Sequence, residues 1–283
     1  RTHKLHFSIN ENKRLRADFL GNFLAVSFGP EDMRLIEGSP SRRRAYLDNV
    51  LVQVDREYDL ALKQYEQTLR RRNKLLSQIK DGEQSSRSLT FWDMSLIKHG
   101  ELIQLKRRQL TEFMNAEDTQ SLQFQIKYLP SVITQSRLAS HHSAEIATGF
   151  TLIGPHKDDF EVLFEWSEIG QKKSFNPSSA PNALELTPTS LTALNEYGSR
   201  GQKRLGVLWL KKSELLFLSA RTGVKPVLLL DDIFSELDQE NQRKVMQLIN
   251  QEQVIITTTD RQSIQDLLSS FSGKIELISL SKS

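Results

Sequence analysis

The chain has 283 residues, of which 38% are hydrophobic and 26% charged, so it can bury a core of ordinary globular size. It contains no cysteine, and charges interrupt its apolar stretches before they reach membrane-spanning length, so nothing indicates secretion, a transmembrane helix or thiol chemistry. The net charge is +3 but uneven: residues 1–150 hold 23 Lys and Arg against 18 Asp and Glu, whereas residues 151–283 hold 15 against 17. We therefore expect a cytoplasmic protein whose first half can meet a polyanion.

The first half is predicted to begin with strands and to continue as a helical hairpin. Residues 5–9 alternate apolar and polar types, and residues 18–28 are rich in aromatic and β-branched types, so both indicate strands. From residue 41 to about residue 80, apolar side chains recur every three or four positions, which predicts one helix. After a break at residues 81–88, a second helix is predicted for residues 89–116. Two such helices joined by a short polar loop should pack antiparallel.

The second half is predicted to be an α/β unit. A strand at residues 122–128, a helix at 131–147 and a strand at 160–166 precede a proline-rich segment, residues 170–192, which is expected to be a weakly ordered loop. Helices and short apolar strands then alternate, which favours a buried, largely parallel sheet. The predicted elements are helix 202–220, strand 227–231, helix 239–250, strand 254–258, helix 261–270 and strand 274–279.

The strongest local signal for chemistry is an apolar strand that ends in two carboxylates. Val227–Leu230 is followed by Asp231 and Asp232. Because ligands of open α/β sheets collect at the carboxyl ends of strands, Asp231 could hold Mg²⁺, and Asp232 could orient or deprotonate an attacking water. The alternative is a strand end followed by an ordinary polar turn.

A second signal is a glycine-flanked serine before a long apolar helix. Gly198 and Gly201 surround Ser199. Glycines let backbone amides approach a ligand closely, and a helix start favours phosphate. The alternative is a serine-capped helix after a flexible loop.

Together these signals have the order and spacing of a known motif set. Ser199 and Asp231 are 32 residues apart, and Ser235–Asp238 follows at once. The set resembles the signature motif, Walker B strand and D-loop of ABC-type ATPases in their SMC-like branch. Further segments narrow the resemblance to the RecF family across nearly the whole chain, namely Phe28–Asp32 with Gly38–Asp48, Gly154–Phe160 and Tyr197–Arg204.

The resemblance implies a fold and its division into lobes. The fold class is α/β: an ABC-type ATPase lobe, which is a P-loop NTPase fold, with an inserted, mostly helical second lobe. Residues 1–40 and 149–283 would form the ATPase lobe. Residues 41–148 would form the helical lobe with its hairpin.

The resemblance also implies a site in which ATP and Mg²⁺ lie between two subunits. Residues that match the family's motifs then take roles by position. Ser199, Arg200, Gly201 and Gln202 would contact the γ-phosphate of a partner's nucleotide. Asp231 would bind Mg²⁺, and Asp232 would be the catalytic residue. Asp238 would belong to the D-loop, and Thr259 would be the switch residue.

The chain departs from the family's pattern in one essential part. The glycine-rich P-loop with its Gly-Lys-Ser or Gly-Lys-Thr ending, which holds the β- and γ-phosphates, does not occur in these residues. Family members carry it N-terminal to the region that begins here, so we expect a truncated piece. Such a piece would bind ATP poorly by itself.

Basic clusters in or beside the predicted hairpin are candidates for DNA contact, because they can neutralise phosphates. The resemblance points to DNA binding as well. The alternative is a solvated helix surface on which arginines pair with Asp48, Glu66 or Glu112, with Arg43 and Arg44 as structural residues. The clusters are Arg42, Arg43 and Arg44, then Arg70, Arg71 and Arg72, then Lys106, Arg107 and Arg108.

The histidines invite catalytic roles that the sequence does not support. His156 precedes Asp158 in a turn, but a metal site there lacks further ligands. We expect that turn to need these residues for geometry. His141 and His142 are expected on a helix face.

The function implied by the resemblance is an ATP-dependent dimeric clamp in DNA replication, recombinational repair and the SOS response. It would bind DNA where single and double strands meet and, with RecO and RecR, help load RecA. Two alternatives remain open from the residues. One is a metal-dependent nuclease that uses Asp231, Asp232 and Asp260, and the other is a non-enzymatic DNA-binding scaffold.

Overall fold

The computed structural model describes residues 6–16, 21–116, 124–165, 191–231, 253–258 and 276–278. Its strands are β1 (Phe7–Ile9), β2 (Asn12–Arg14), β3 (Ala25–Phe28), β4 (Phe124–Leu129), β5 (Asp159–Glu165), β6 (Leu191–Ala193), β7 (Val227–Asp231) and β8 (Val254–Thr257). Its helices are α1 (Arg34–Glu37), α2 (Pro40–Val54), α3 (Arg56–Lys80), α4 (Thr90–Ala116), α5 (Gln135–Thr148), α6 (Leu194–Tyr197) and α7 (Arg200–Thr222). Within these ranges no helix has both the length and the hydropathy that a bilayer crossing requires.

A parallel sheet in the order β3-β7-β8 carries the candidate site. Ala25–Phe28 pairs with Val227–Leu230, and Leu228–Asp231 pairs with Val254–Thr257. Branched apolar side chains of β3 and β7, such as Val26 and Leu230, are buried, which suits a central parallel strand. Parallel pairing is confirmed for these three strands, whose carboxyl ends meet at one edge, whereas the predicted burial holds for β3 and β7 but not for β8, where Ile255 is exposed.

The helical hairpin is present, but its first arm is two helices rather than one. The chain is extended at Asp55 (φ −129°, ψ 99°), and its carboxylate accepts a hydrogen bond from the Tyr58 amide to cap α3. This cap restarts the helix without disturbing the apolar period, so the prediction of one helix over 41–80 was wrong. The arms α3 and α4 run antiparallel, since Thr68 bonds Ser95 and, one turn along, Arg72 bonds Asp93.

A second, antiparallel sheet in the order β4-β5-β6 packs beside the hairpin. Ile126 lies opposite Val162 and Tyr128 opposite Phe160, with Ile126, Val162 and Phe160 buried. Strand β4 belongs to the predicted helical lobe and β5 to the predicted ATPase lobe, so this sheet crosses the boundary at residues 148 and 149. The domain boundaries stay a prediction.

Helix α7 is the long helix that connects the two ends of the candidate site. Its buried face includes Trp209, whose ring lies 6.2 Å from that of Phe124, and Leu210, whose carbonyl accepts a hydrogen bond from the Tyr46 hydroxyl. The helix ends at Gly223, where φ is 70°, a left-handed conformation that favours glycine.

Several predicted elements differ or fall outside the described ranges. Strand β3 begins at Ala25, with residues 21–24 in no strand and residues 18–20 outside the described ranges, and Leu191–Ala193, at the end of the predicted loop, forms a strand against β5. Residues 276–278 are not in a strand. The rest of the proline-rich segment up to residue 190 and the predicted helices 239–250 and 261–270 lie outside the described residues.

Candidate functional site

Asp231 stands at the carboxyl edge of the parallel sheet with its side chain exposed. It is the last residue of β7. On one side, a Cβ placed on Gly29, the residue after β3, would lie 3.5 Å from the Asp231 Cβ. The carboxylate is therefore exposed at the edge of the sheet where α/β proteins bind ligands, and its role in a site there stays a prediction.

Thr257, at the end of β8, is the neighbour of Asp231 that the sequence analysis missed. The two residues are paired in the sheet, and the Thr257 hydroxyl donates a hydrogen bond of 2.6 Å to Oδ1 of Asp231. The sequence carries a signal for it, because Thr257 closes an apolar run that predicts a strand. The family resemblance points instead to Thr259, two residues later.

The turn after β3 links this edge to helix α7. Oδ2 of Asp32 accepts from the Gly29 amide at 2.9 Å, and Oδ1 of Asp32 lies 3.1 Å from Nζ of Lys211. Lys211 is buried over the ring of Tyr46, with its Nζ 5.4 Å from the ring centroid. A charged contact thus fixes the loop beside Asp231 to the middle of α7.

Glu214 gives Lys211 a second carboxylate. It is buried one turn along α7, and its Oε2 lies 3.6 Å from Lys211 Nζ and has no hydrogen-bond partner among the described residues. Burial raises the pKa of Glu214 to about 7, although Lys211 opposes this shift. Near neutral pH, the Glu214 carboxyl group beside Lys211 is therefore partly protonated.

Ser199 caps the start of α7 and is exposed. Its hydroxyl accepts from the Gln202 amide at 3.3 Å, and the Gln202 side chain accepts from the Ser199 amide at 2.8 Å, which forms a capping box. The hydroxyl keeps its own proton to donate, so the cap and a phosphate contact are compatible. Arg200 is exposed, and Gly201 and Gln202 are partly exposed.

Gly198 is required for close packing, in addition to the access for a ligand that its sequence predicts. A Cβ at Gly198 would lie 2.6 Å from the Leu194 carbonyl oxygen, and one at Gly206 would lie 2.2 Å from the Leu194 side chain. Leu194 is fully buried, so both glycines allow α6 to fold back tightly on α7.

Ser199 lies far along α7 from Lys211, the residue that contacts the turn beside Asp231. Ser199 precedes Lys211 by twelve residues, which is about 18 Å along a helix axis. Lys211 is the point of α7 that reaches the Asp231 edge through Asp32. The remaining predicted site residues Asp232, Asp238 and Thr259, and Asp260 of the nuclease alternative, lie outside the described residues.

The donors at the sheet edge suit Mg²⁺. Asp231 offers an exposed carboxylate, and Mg²⁺ prefers one or two carboxylates, with phosphate oxygens and waters completing its octahedron. Within the described part of the chain, no group of three or more His, Cys, Asp or Glu could hold a metal.

Arg72 was predicted as a DNA contact, and the structure corrects this. Its side chain is 1% exposed and donates to Asp93 at 2.7 Å, to Thr151 at 2.8 Å and to Glu145 at 2.7 Å. A guanidinium whose donors are occupied in the interior cannot reach a DNA phosphate. Arg72 instead holds the hairpin to helix α5 and the segment after it.

Arg107 is corrected for the same reason. Its side chain is 2% exposed and lies 2.7 Å from Asp48 and 2.9 Å from Asp158, which is fully buried. Asp158 also accepts from Gln104 at 2.8 Å and from the Ser131 amide at 2.7 Å. The alternative that an arginine pairs with Asp48 therefore holds for Arg107.

The other basic candidates divide by exposure. Arg43 is mostly buried, with two hydrogen bonds to Asp159 at 2.6 and 2.9 Å, so it too is structural. Lys106 is partly exposed and pairs with Asp55 and Glu57. The exposed candidates are Arg42, Arg70, Arg71 and Arg108.

His156 lies inside the joint between the hairpin and β5. Its Nε2 donates to the Thr151 carbonyl at 3.1 Å, and its Nδ1 lies 2.8 Å from the Tyr65 hydroxyl, which donates to it when the ring is neutral. Gly154 has φ 122°, and a Cβ there would lie 2.4 Å from that hydroxyl. The pKa of His156 is lowered to about 4, chiefly by burial and also by the charges of Lys157 and Arg44, against the opposing effect of the Thr151 bond.

We expect His156→Gln to flatten part of the pH dependence of stability. The pKa of His156 is about 4 when folded and 6.5 ordinarily, so the unfolded chain binds more protons between these values. The His156 contribution to the free energy of unfolding is therefore complete above pH 6.5 and is lost as the pH falls towards 4. Glu214, with its raised pKa, acts in the opposite direction, so the test is the wild-type minus variant difference in urea unfolding. A difference that stays constant from pH 7.5 to 4.5 would contradict the assignment.

Comparison with known proteins places this geometry in a family. No family model matches the chain. It is 35% identical over 270 residues to the DNA replication and repair protein RecF of Herpetosiphon aurantiacus, covering 89% of this chain and 64% of that protein. It is 30% identical over 296 residues to RecF of Halothermothrix orenii, covering 92% and 72%. The chain thus spans about two thirds of the length of these relatives.

Solved structures agree. Two structures of the recombination mediator protein RecF in the RecFOR pathway, named RecF-ATP and RecF-ATPrS, match with TM-scores of 0.71 and 0.70 at 31% and 30% identity. Each match covers 90% of this chain, and 68% and 67% of those chains respectively. The fold is thus the α/β fold of an ABC-type ATPase lobe with an inserted, mostly helical second lobe. The chain therefore belongs to the RecF family of DNA replication and repair proteins.

Proposed function

We propose that this chain is the part of a RecF-like protein in which ATP binding by two copies is coupled to holding DNA. ATP would join two copies around DNA, and hydrolysis would release them. The observation that carries the proposal is the exposed Asp231 carboxylate at the parallel sheet's edge, tied through Asp32 and Lys211 to the helix that Ser199 caps. Residues 1–40 and 149–283 are assigned to the ATPase lobe and residues 41–148 to the helical lobe.

The separation of Ser199 from the Asp231 edge supports a site completed by a second copy. The start of α7 lies far along the helix from Lys211. This position suits a residue that binds the γ-phosphate of a partner's nucleotide. Ser199, Arg200, Gly201 and Gln202 would make that contact, because amides and a hydroxyl at a helix start favour anions. In the partner's own site, Asp231 would hold Mg²⁺ and Asp232 would activate water. Held there, Mg²⁺ would supply positive charge that offsets the charge of the nucleotide's phosphates.

The family and the names of its solved members support the remaining roles. RecF-ATP and RecF-ATPrS are named as mediators of the RecFOR pathway. We assign RecO and RecR as partners, RecA loading at single-strand and double-strand regions as the task, and the cytoplasm as the compartment. Participation in the SOS response follows from that task.

The DNA surface is assigned to the basic residues that the fold leaves exposed. Arg70 and Arg71 lie on the outer side of α3, and Arg42 and Arg108 are exposed on α2 and α4. Such residues give sequence-independent, salt-dependent binding to phosphates.

A DNA-binding experiment on the complete gene product, including any residues before Arg1, tests this function. Affinity for a gapped duplex is measured by fluorescence anisotropy, with Mg²⁺ and with or without ATP, over a range of KCl concentrations. We expect tighter binding with ATP. Arg70→Gln with Arg71→Gln should reduce the slope of log affinity against log salt by about 2, because each lost phosphate contact removes about 0.9. Lys13→Gln, at an exposed lysine of β2, is the control.

Each alternative function gives a different result. Equal affinity with and without ATP would favour the non-enzymatic scaffold, and strand cleavage with Mg²⁺ alone would favour the nuclease that uses Asp231, Asp232 and Asp260. An unchanged salt slope in the double variant would show that DNA does not contact Arg70 and Arg71.

A further inference from the structure

The carboxylate of Asp231 is held on one side by a single hydroxyl. Thr257 Oγ1 donates to Asp231 Oδ1 at 2.6 Å, a short bond of the kind formed with charged acceptors. Both residues end their strands, are paired in register and have exposed side chains. The bond therefore lies at the edge of the sheet, outside its core.

The second oxygen of this carboxylate, Oδ2, has different surroundings. Oδ2 faces the Gly29 side, where a Cβ on Gly29 would still be 3.9 Å away. The Gly29 amide is directed elsewhere, since it donates to Asp32 at 2.9 Å. One oxygen of Asp231 is thus anchored, while on the other side a residue without a side chain leaves space.

An anchored carboxylate loses rotational freedom before any ligand arrives. An exposed aspartate would otherwise sample several orientations about its terminal torsion. A bond that fixes one orientation in advance lowers the entropy cost of binding, and hydrogen bonds to metal ligands raise affinity for that reason.

We propose that Thr257 is a positioning residue that orients Asp231 towards the Mg²⁺ of the bound nucleotide. This inference rests on the proposed nucleotide site. Thr257 does not itself bind the ion. Its hydroxyl holds Oδ1 so that Oδ2 meets the ion or one of its waters.

The test measures metal binding rather than turnover. Mn²⁺ replaces Mg²⁺, and its binding to the complete gene product with the slowly hydrolysed analogue ATPγS is followed by electron paramagnetic resonance. Thr257→Val keeps the shape and the strand preference of threonine but removes the hydroxyl. We expect it to weaken Mn²⁺ binding about tenfold, the lower end for lost partners of metal ligands. Thr257→Ser should restore most of that affinity, and metal-free nucleotide binding should not change.

Asp231→Asn separates failure of this inference from failure of the proposed function. If it weakens Mn²⁺ binding while Thr257→Val does not, positioning by Thr257 is overturned and the nucleotide site stands. If Thr257→Ser behaves like Thr257→Val, the hydroxyl is not the cause, and the inference is again overturned. If Asp231→Asn leaves Mn²⁺ binding unchanged, the metal role of Asp231 falls and the inference with it. Urea midpoints equal to that of the wild type establish that all three variants are folded.

Discussion

Replacing Arg107 by methionine is expected to lower the free energy of unfolding by about 3 to 5 kcal/mol, because it leaves the buried carboxylate of Asp158 and the partly buried one of Asp48 without their cation. Arg107 lies between Asp48 and Asp158, and Asp158 is completely buried. Methionine fills much of the volume of the arginine stem, so the loss reports the missing charge rather than a cavity. Urea unfolding followed by circular dichroism and tryptophan fluorescence measures it.

The chain supplies a control one residue away. Arg108 is exposed on the same helix, so Arg108→Met should change stability by no more than about 0.5 kcal/mol. The double variant Arg107→Met with Asp158→Asn should recover part of the loss, since the uncompensated charge is removed. Equal midpoints for Arg107→Met and Arg108→Met would contradict the structural role and return Arg107 to the DNA candidates.

The burial of Arg72 and Arg107 follows the helical periodicity of the sequence. Arg72 continues a buried stripe of α3 that runs through Tyr65, Thr68 and Leu76 at spacings of three or four. Arg107 likewise lies on the buried stripe of α4, between Ile103 and Leu110. Neighbouring basic residues in the sequence therefore differ in burial, because only one arginine of each triplet points inwards on a helix with 3.6 residues per turn.

Other features could not be derived from local pattern. The alternation in residues 122–128 and 160–166 predicts two strands, but only the fold shows that Phe124–Leu129 pairs with Asp159–Phe164 across a helix and a turn. The restart of the helix at Asp55 depends on one side-chain bond to Tyr58. Hydrophobic periodicity predicts neither the pairing of these strands nor the side-chain bond at Asp55.

The candidate site was predictable where it depends on strand chemistry. An apolar strand that ends in an acid at the edge of a parallel sheet places Asp231 in the crevice by topology alone. The contacts of Asp32 with Gly29 and Lys211 were not predictable, because they join a turn and a helix that are far apart in sequence.

Each ATP site is expected to be formed by residues of two copies, which two single variants can test. In the complete gene product, Asp232→Asn should lower ATP hydrolysis by at least about 100-fold, the usual effect of losing a group that activates water. Ser199→Asp should do so as well, because it sets a negative charge against the γ-phosphate. Asparagine and aspartate are both good N-caps, so Ser199→Asn is the matched control that keeps the α7 cap without the charge.

Mixing the two inactive variants is expected to restore hydrolysis. Each mixed dimer then has one site in which intact Asp232 of one copy faces intact Ser199 of the other, while its second site carries both changes. With random exchange, half of the dimers are mixed and each has one working site, so activity returns to about a quarter of the wild-type rate. Hydrolysis of labelled ATP, measured after pre-incubation of the mixture, provides the test.

The mixture distinguishes a shared site from two separate ones, since neither variant alone can. If Ser199 served the nucleotide of its own chain, every site in the mixture would carry one change, and activity would stay at the level of the single variants. Ser199→Asn should remain close to the wild type and give no recovery beyond simple addition when mixed. We expect activity to return when Ser199→Asp is mixed with Asp232→Asn, and not to return when either variant is mixed with the double variant. Together these two results require that the start of α7 acts on the sheet edge of another copy.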